Sequence, residues 1–181
     1  MWIFLQQKTD FFNTPYRLLH IAPEQCFWKR FHKMEHIDYV TGDLESPLAT
    51  HHFDLHNIPF DDKSFDVVFC NHVLEHVKDD AQCMRELYRV LRKGGWGIMQ
   101  VPLDYSREAT FQDDSIVTPE EREKHYWQKD HVRLYGRDYP NRLRAAGFEV
   151  EEFLPSQILT AGQIDRFRLQ AEEVLYLCKK S

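Results

Sequence analysis

The carboxylates that stand out in this sequence are Glu24, Asp43 and Asp54, each beside a short apolar run rather than within a charged stretch. Asp43 follows the end of the run Tyr16–Ile21 by the ~20 residues at which a carboxylate accepts hydrogen bonds from both hydroxyls of a bound ribose. A turn-forming aspartate after Gly42 is the alternative. Asp54 reads as a polar group at a pocket rim, or as a turn cap. His72-Val73-Leu74-Glu75-His76 fits H-x-x-E-H, the inverted zinc-protease pattern, in which histidines ligate zinc and the glutamate activates water. The sequence identifies no third protein ligand, and a five-residue pattern arises easily by chance, so no metal is expected and Glu75 and His76 read as cap or packing residues. Asp130-His131-Val132-Arg133-Leu134-Tyr135-Gly136 gathers an imidazole that accepts a proton near neutral pH, a guanidinium that pairs an anion bidentately, and a phenol that donates a hydrogen bond. The other reading of this group is a structural cluster that anchors a loop.

Positioning such groups takes a scaffold, and the chain alternates short apolar runs with helical periodicity, the pattern of βαβ units and a mainly parallel sheet. Strands are expected at Tyr16–Ile21, residues 38–41, residues 65–70 and residues 96–101. The near-continuous apolar run at 65–70 suits a central strand covered on both faces. Between the last two, residues 79–91 place Cys83, Met84, Leu87, Val90 and Leu91 on one helical stripe, and Gly94-Gly95 is read as its stop. Residues 139–146 form a further amphipathic helix ended by Gly147, with strands at 148–153 and 173–178. Pro119 to Lys124 reads as a solvated helix start with proline in its first turn. The expectation is an α/β, Rossmann-like, doubly wound fold: a mainly parallel sheet of about seven strands, the last antiparallel. One domain spans 1–181, with the polar, aromatic-containing stretch 104–137 as a lid or substrate-side insertion.

Composition excludes several classes. With 181 residues, 43% of them hydrophobic, one sizeable core can form, and no apolar run approaches the ~18 residues a membrane-spanning helix needs. Residues 1–10 lack a basic leader and a cleavage site, and do not read as a signal peptide. A net charge of -6 disfavours nucleic acid, whose binding rests on lysine and arginine neutralising phosphates. Cys26, Cys70, Cys83 and Cys178 form no C-x-x-C pair and read as reduced core thiols of a cytoplasmic protein. Oligomeric state is not readable.

Three blocks carry a family resemblance. Asp54-Leu55-His56-Asn57-Ile58-Pro59-Phe60-Asp61-Asp62-Lys63-Ser64-Phe65-Asp66-Val67-Val68, then Asn71-His72-Val73-Leu74-Glu75-His76-Val77, then Glu86-Leu87-Tyr88-Arg89-Val90-Leu91-Arg92-Lys93-Gly94-Gly95 resemble, in order, the class I S-adenosylmethionine-dependent methyltransferases that act on varied small molecules. The resemblance implies S-adenosylmethionine as cofactor and a small-molecule methyl acceptor. It implies that Asp43 holds the ribose, that Asp54 and Leu55 border the adenine, and that Asn71 and His72 line the methionine end. The segment around His131 is similar to the H-x-R-x-Y/F stretch of related enzymes on the substrate side. That makes His131 the candidate base, with Arg133 and Tyr135 as substrate contacts; Asp104 and Tyr105, just past the strand at 96–101, are weaker candidates for the substrate side. The first loop departs from the family: Leu19-His20-Ile21-Ala22-Pro23-Glu24 has no glycine where the family has a glycine-rich turn, and is similar instead to a variant subgroup with H-x-A-P-E. His20, Ala22 and Glu24 are the cofactor contacts expected there, Glu24 through the methionine ammonium.

Two other functions compete. A nicotinamide-dependent oxidoreductase is disfavoured because G-x-G-x-x-G, which exposes backbone amides to a pyrophosphate, is missing. A non-catalytic S-adenosylmethionine-binding or regulatory protein on the same fold stays open, since fold alone does not fix activity.

Overall fold

A computed structural model describes residues 1–181. Its centre is a seven-stranded sheet made of β1 (Tyr16–Ile21), β2 (Ile37–Asp43), β3 (His51–His52), β4 (Phe65–Asn71), β5 (Leu91–Gln100), β6 (Glu149–Phe153) and β7 (Leu175–Lys179). Strand order is β3-β2-β1-β4-β5-β7-β6. The first five run parallel, and β7 lies antiparallel to both β5 and β6. Strand order reverses between β1 and β4, and the crevice beyond their carboxyl ends is where open α/β sheets bind ligands.

Alternation along β1 and β4 explains why both faces are covered. Leu19, Ile21, Val68 and Cys70 face one apolar layer, shared with Cys83, Met84, Leu87 and Val90 of α3 (Asp80–Val90) and with Tyr139 and Leu143 of α5 (Tyr139–Ala145). Leu18, Val67 and Phe69 face the other, with Phe4 and Leu5 of α1 (Trp2–Lys8), Phe11, and Phe31 of α2 (Gln25–Phe31). The apolar Trp2-Ile3-Phe4-Leu5 stretch thus belongs to a packed amphipathic helix. α4 (Pro119–Tyr126) starts with Pro119 in its first turn and Thr118 capping the Glu121 amide, and α6 (Ala161–Phe167) is capped by Thr160 on Gln163.

The expected elements lie within a residue or two of their observed bounds, except that β5 begins at Leu91, five residues before the expected start. Gly94-Gly95 does not stop α3. The helix ends at Val90, Leu91 is already extended, and the glycines lie within β5. There they absorb an irregularity in pairing, since Phe65 faces Leu91 while Val67 faces Trp96. Gly94 takes φ 78°, and a Cβ on Gly95 would sit 2.8 Å from the Asp66 carbonyl oxygen. Cys26 is also exposed, unlike the other three thiols, which are buried.

Side-chain bonds account for the spacing of the resembling blocks. Arg89 on α3 donates from Nη1 to the Phe60 carbonyl (2.8 Å) and from Nη2 to the Ile58 carbonyl (2.8 Å), while Glu86 accepts from the Ile58 amide (2.9 Å). Helix α3 thereby fixes the loop that feeds β4. No helix is long and apolar enough to cross a membrane.

Candidate active site

Two cavities open at the carboxyl edge, on the loops after β1, β2 and β4. The polar one, about 300 Å³, owes its character to Asp43, Asp54, His56, His76 and Lys78, while Ile21, Ala22, Gly42, Leu44, Phe53, Leu55, Val73 and Val77 form the rest of its lining. The other, about 450 Å³, is mainly apolar: Trp2, Ile3, Phe4, Phe27, Phe153, Ile158, Leu159, Phe167, Leu169 and Leu175 form most of its wall. Glu24, Asn71, His72, Gln100 and Glu173 supply its polar groups.

In the polar cavity, Asp43 ends β2 and spends Oδ1 on its own turn, accepting the Glu45 and Ser46 amides at 2.8 Å each. The turn-forming and ligand-facing readings of Asp43 are thus compatible, because a carboxylate has a second oxygen. Asp54 accepts from the His56 amide (2.9 Å) and from His56 Nδ1 (2.6 Å), and these hydrogen bonds hold its carboxyl below its ordinary range. His56 Nε2 accepts from the Asp79 amide (3.1 Å), which fixes the ring between the loop after β3 and the cap of α3. Leu55 is buried and presents the apolar part of the wall.

The glycine-free loop after β1 turns as a glycine loop would. Ala22 takes φ 48°, in the left-handed region, and its amide donates to the Gly42 carbonyl (2.8 Å). Glu24 then swings beneath the loop, where its carboxylate lies 2.5 Å from His20 Nε2 and accepts from Asn71 Nδ2 (3.1 Å). Burial opposes ionisation of Glu24, but the hydrogen bonds and charge of His20 and the Asn71 amide outweigh it, leaving its carboxyl below the usual range. Asn71 Oδ1 is buried without a hydrogen-bond partner, an acceptor free for a ligand's donor. His72, next along, also takes a left-handed φ of 55°. Such conformations cost roughly 1–3 kcal/mol each and cluster where a chain is shaped for a ligand.

Several expected contacts lie elsewhere. His20 is fully buried among Tyr39, Phe31 and Phe69 and lines neither cavity. Its Nδ1 meets the Tyr39 hydroxyl (2.9 Å), so its contribution is to position Glu24 rather than to touch a ligand. Arg133 is also fully buried, and its donors are consumed by the Leu74, Val77 and Lys78 carbonyls (2.6, 2.6 and 2.8 Å) and by Gln112 (3.0 Å). Four of its five N–H donors are thus spent, and Arg133 borders neither cavity, so it does not meet an anionic substrate there. Tyr135 gives its hydroxyl to Asp80 (2.7 Å) and packs in the core. Asp104 is held by Ser106 and Arg107 in a turn after β5 and lines neither cavity. His131 is 1% exposed, with Nδ1 bonded to the Tyr126 carbonyl (2.9 Å), and it too borders neither cavity. A base must reach the proton it removes, so burial takes His131 out of that role. Segment 104–137 adds no residue to either of these two cavities, but its Gln112 and Asp114 line a third, open hollow of about 680 Å³ that shares Asp54, His56 and Lys78 with the polar one. The segment packs behind the polar cavity through Arg133 and through the Val132 amide, which donates to the Glu75 carbonyl (2.9 Å).

The sequence reading missed the apolar cavity, because its wall comes from residues far apart in the chain. The only local signals were the apolar stretch at residues 2–5 and the scattered leucines after residue 153.

Comparison with known proteins bears on the domain and its fold. Residues 16–99 match the family model described as "Methyltransferase domain". A Mycolicibacterium smegmatis protein named "Probable S-adenosylmethionine-dependent methyltransferase" is 35% identical over 106 residues, 57% of this chain and 36% of its own length. The phthiotriol/phenolphthiotriol dimycocerosates methyltransferase of Mycobacterium tuberculosis is 37% identical over 94 residues, 50% of this chain and 30% of its own. The chain spans about a third of the length of these relatives. Among solved structures, phosphoethanolamine N-methyltransferase 2 of Haemonchus contortus in complex with S-adenosyl-L-methionine superposes with TM-score 0.61 at 15% identity, over 99% of this chain and 55% of that one, a likeness of fold.

Proposed function

We propose that this chain, which carries a class I S-adenosylmethionine-dependent methyltransferase domain, transfers the methyl group of that cofactor to a small, largely apolar acceptor. The observation behind this reading is the pair of cavities that flank the loops after β1 and β4. One offers the Asp43 and Asp54 carboxylates, and the other is a mainly apolar chamber with Glu24, Asn71 and His72 at its polar edge.

The residues present fit the cofactor. Asp43 keeps one carboxylate oxygen outside its own turn for ribose hydroxyls, Asp54 and Leu55 suit an adenine, and ionised Glu24 with the unpartnered Asn71 Oδ1 suits an ammonium. S-adenosylmethionine supplies an electrophilic methyl on a sulfonium with a good leaving group. The chain's own task is then to align the acceptor with that methyl and to exclude water, which an apolar chamber does by its lining. No dedicated base is required of it. The acceptor is read as apolar because aromatic and aliphatic side chains dominate the 450 Å³ cavity, and small-molecule sites bury most of their ligand against such walls. The net charge of -6 disfavours a nucleic-acid acceptor. Unpaired thiols, three buried and one exposed, favour a reducing, cytoplasmic setting.

Thermal shift with S-adenosylhomocysteine and NAD tests the reading, since a ligand that binds only the folded state raises its stability by RT ln(1 + [L]/Kd). S-adenosylhomocysteine should stabilise the protein and NAD should not. Asp43→Ala should weaken S-adenosylhomocysteine about a hundredfold, the equivalent of roughly 3 kcal/mol for lost charge-assisted hydrogen bonds. Stabilisation by NAD alone would overturn the assignment. Turnover with methyl-labelled cofactor separates an enzyme from a cofactor-binding regulator.

A further inference from the structure

Behind the polar cavity, segment 104–137 meets the turn that follows β4. A carboxylate oxygen of Glu75 and one ring nitrogen from each of His76 and His131 lie within 4.8 Å of one another. Glu75 is 1% exposed, and its Oε2 is buried with no hydrogen-bond partner, a costly state for a carboxylate that no protein group relieves. Its other oxygen faces His72 Nδ1 at 3.5 Å. The two imidazoles are held from behind. His131 Nδ1 bonds the Tyr126 carbonyl at 2.9 Å, and His76 Nδ1 lies 3.2 Å from Asp130 Oδ2. A carbonyl can only accept, so His131 carries its proton on Nδ1 and keeps the Nε2 lone pair free. The carboxylate of Asp130 selects the same tautomer in His76. A histidine that ligates a metal almost always donates its other ring nitrogen to an oxygen in this way.

We infer that Glu75, His76 and His131 form a binding site for a divalent transition-metal ion of the zinc type, ligated by the glutamate carboxylate and the two Nε2 atoms. Two imidazoles and one carboxylate suit zinc and its first-row neighbours better than calcium or magnesium, which prefer oxygen ligands throughout. The site is not the one that the H-x-x-E-H pattern implies. That pattern needs a helix to bring His72 and His76 together, whereas residues 72–76 run through turns, His72 is left-handed, and His72 is absent from the cluster. The third ligand comes instead from His131, on a segment far along the chain. An ion there would cross-link that segment to the turn forming the wall of the polar cavity, beside the Arg133 bonds to Leu74, Val77 and Lys78. The inference stands independently of methyl transfer.

Tag-free full-length protein, stripped by chelator and titrated with zinc chloride in a calorimeter, should bind one ion per chain, and the same titration raises the melting temperature. Cobalt(II) in place of zinc should give visible absorption bands of a low-coordinate nitrogen and oxygen site. His76→Ala, at the cavity edge, and Glu75→Gln should each weaken binding at least tenfold while circular dichroism shows an unchanged fold. His52→Ala, at an exposed histidine outside the cluster, should bind as the parent does. Absence of saturable binding in the parent, or equal affinity in His76→Ala and Glu75→Gln, would overturn the assignment. S-adenosylhomocysteine binding, measured without metal, reports on the cofactor reading separately.

Discussion

The polar cavity around Asp43 and Asp54 is walled by backbone turns that hydrogen bonds hold in place, whereas the apolar cavity is walled by side chains from α1 and from the stretch between β6 and β7. Every residue of the polar cavity falls within the matched methyltransferase domain, residues 16–99. In the apolar cavity only Glu24, Phe27, Asn71 and His72 do. The difference teaches where specificity resides. A cofactor common to many enzymes needs a fixed set of turn donors and carboxylates, while an acceptor is chosen by the shape and polarity of replaceable side chains.

If rigidity sets the polar wall apart, its anchor should carry the largest single cost. Asp80, at the start of α3 and 3% exposed, accepts from Arg142 Nη2 (2.6 Å) and the Tyr135 hydroxyl (2.7 Å), with Arg133 Nε at 3.9 Å. Arg133 in turn holds the carbonyls of Val77 and Lys78, both in the polar wall. Asp80→Ala takes the carboxylate from Arg142 and leaves the buried Arg133 charge uncompensated, and should cost about 3–5 kcal/mol in urea unfolding, the range for breaking a buried ion pair from one side. Burial alone would raise the Asp80 carboxyl, but Arg142, Arg133 and Tyr135 outweigh it and hold it below its ordinary 3.8. Because the folded value is depressed, this stability is fully present above the ordinary range and is lost as pH falls through the folded value. An Asp80→Ala protein that kept the parent's acid-unfolding profile would remove Asp80 as the anchor.

A smaller effect is expected on the other side. Leu159, 8% exposed, lines the apolar cavity and no part of the polar one. Leu159→Asp places a charge against the apolar wall and should weaken binding of an uncharged fluorophore such as Nile red about tenfold, near 1.4 kcal/mol. S-adenosylhomocysteine affinity should not move. Equal losses for both ligands would show that the two cavities are one site and break the comparison.

The same contrast explains what the sequence could tell. β1, β4, α3 and β7 were readable because local periodicity fixes which face is buried, and the position of Asp43 at the end of β2 because the spacing of strand ends is set by the fold. Arg133 and His131 were misread because a residue type states what chemistry is available, and not whether its donors are already taken. Arg133 meets Leu74, Val77 and Lys78 across more than 50 residues of chain, a pairing that no local pattern encodes. The apolar cavity went unseen for the same reason, since α1 and α6 are single short helices whose few apolar residues gain meaning only when placed together. The Gly94-Gly95 pair was taken for a helix stop on composition alone, while its function in β5 depends on the Asp66 carbonyl of the neighbouring strand.

The smallest expected effect addresses the loop that departs most from the family. An L-residue in the left-handed region costs roughly 1–2 kcal/mol, and Ala22 bears that at φ 48°. Glycine relieves the strain but adds freedom to the unfolded chain worth roughly 0.5–1 kcal/mol, so Ala22→Gly should stabilise the protein by no more than about 1 kcal/mol in urea unfolding. Affinity for S-adenosylhomocysteine should stay within about twofold, because Glu24 is held by His20 and Asn71 rather than by the residue that turns the chain. A destabilised Ala22→Gly protein would mean that the contacts of the alanine methyl with the core outweigh the strain that glycine relieves. The glycine-free loop would then be a different grip on the cofactor rather than the same turn made with another residue.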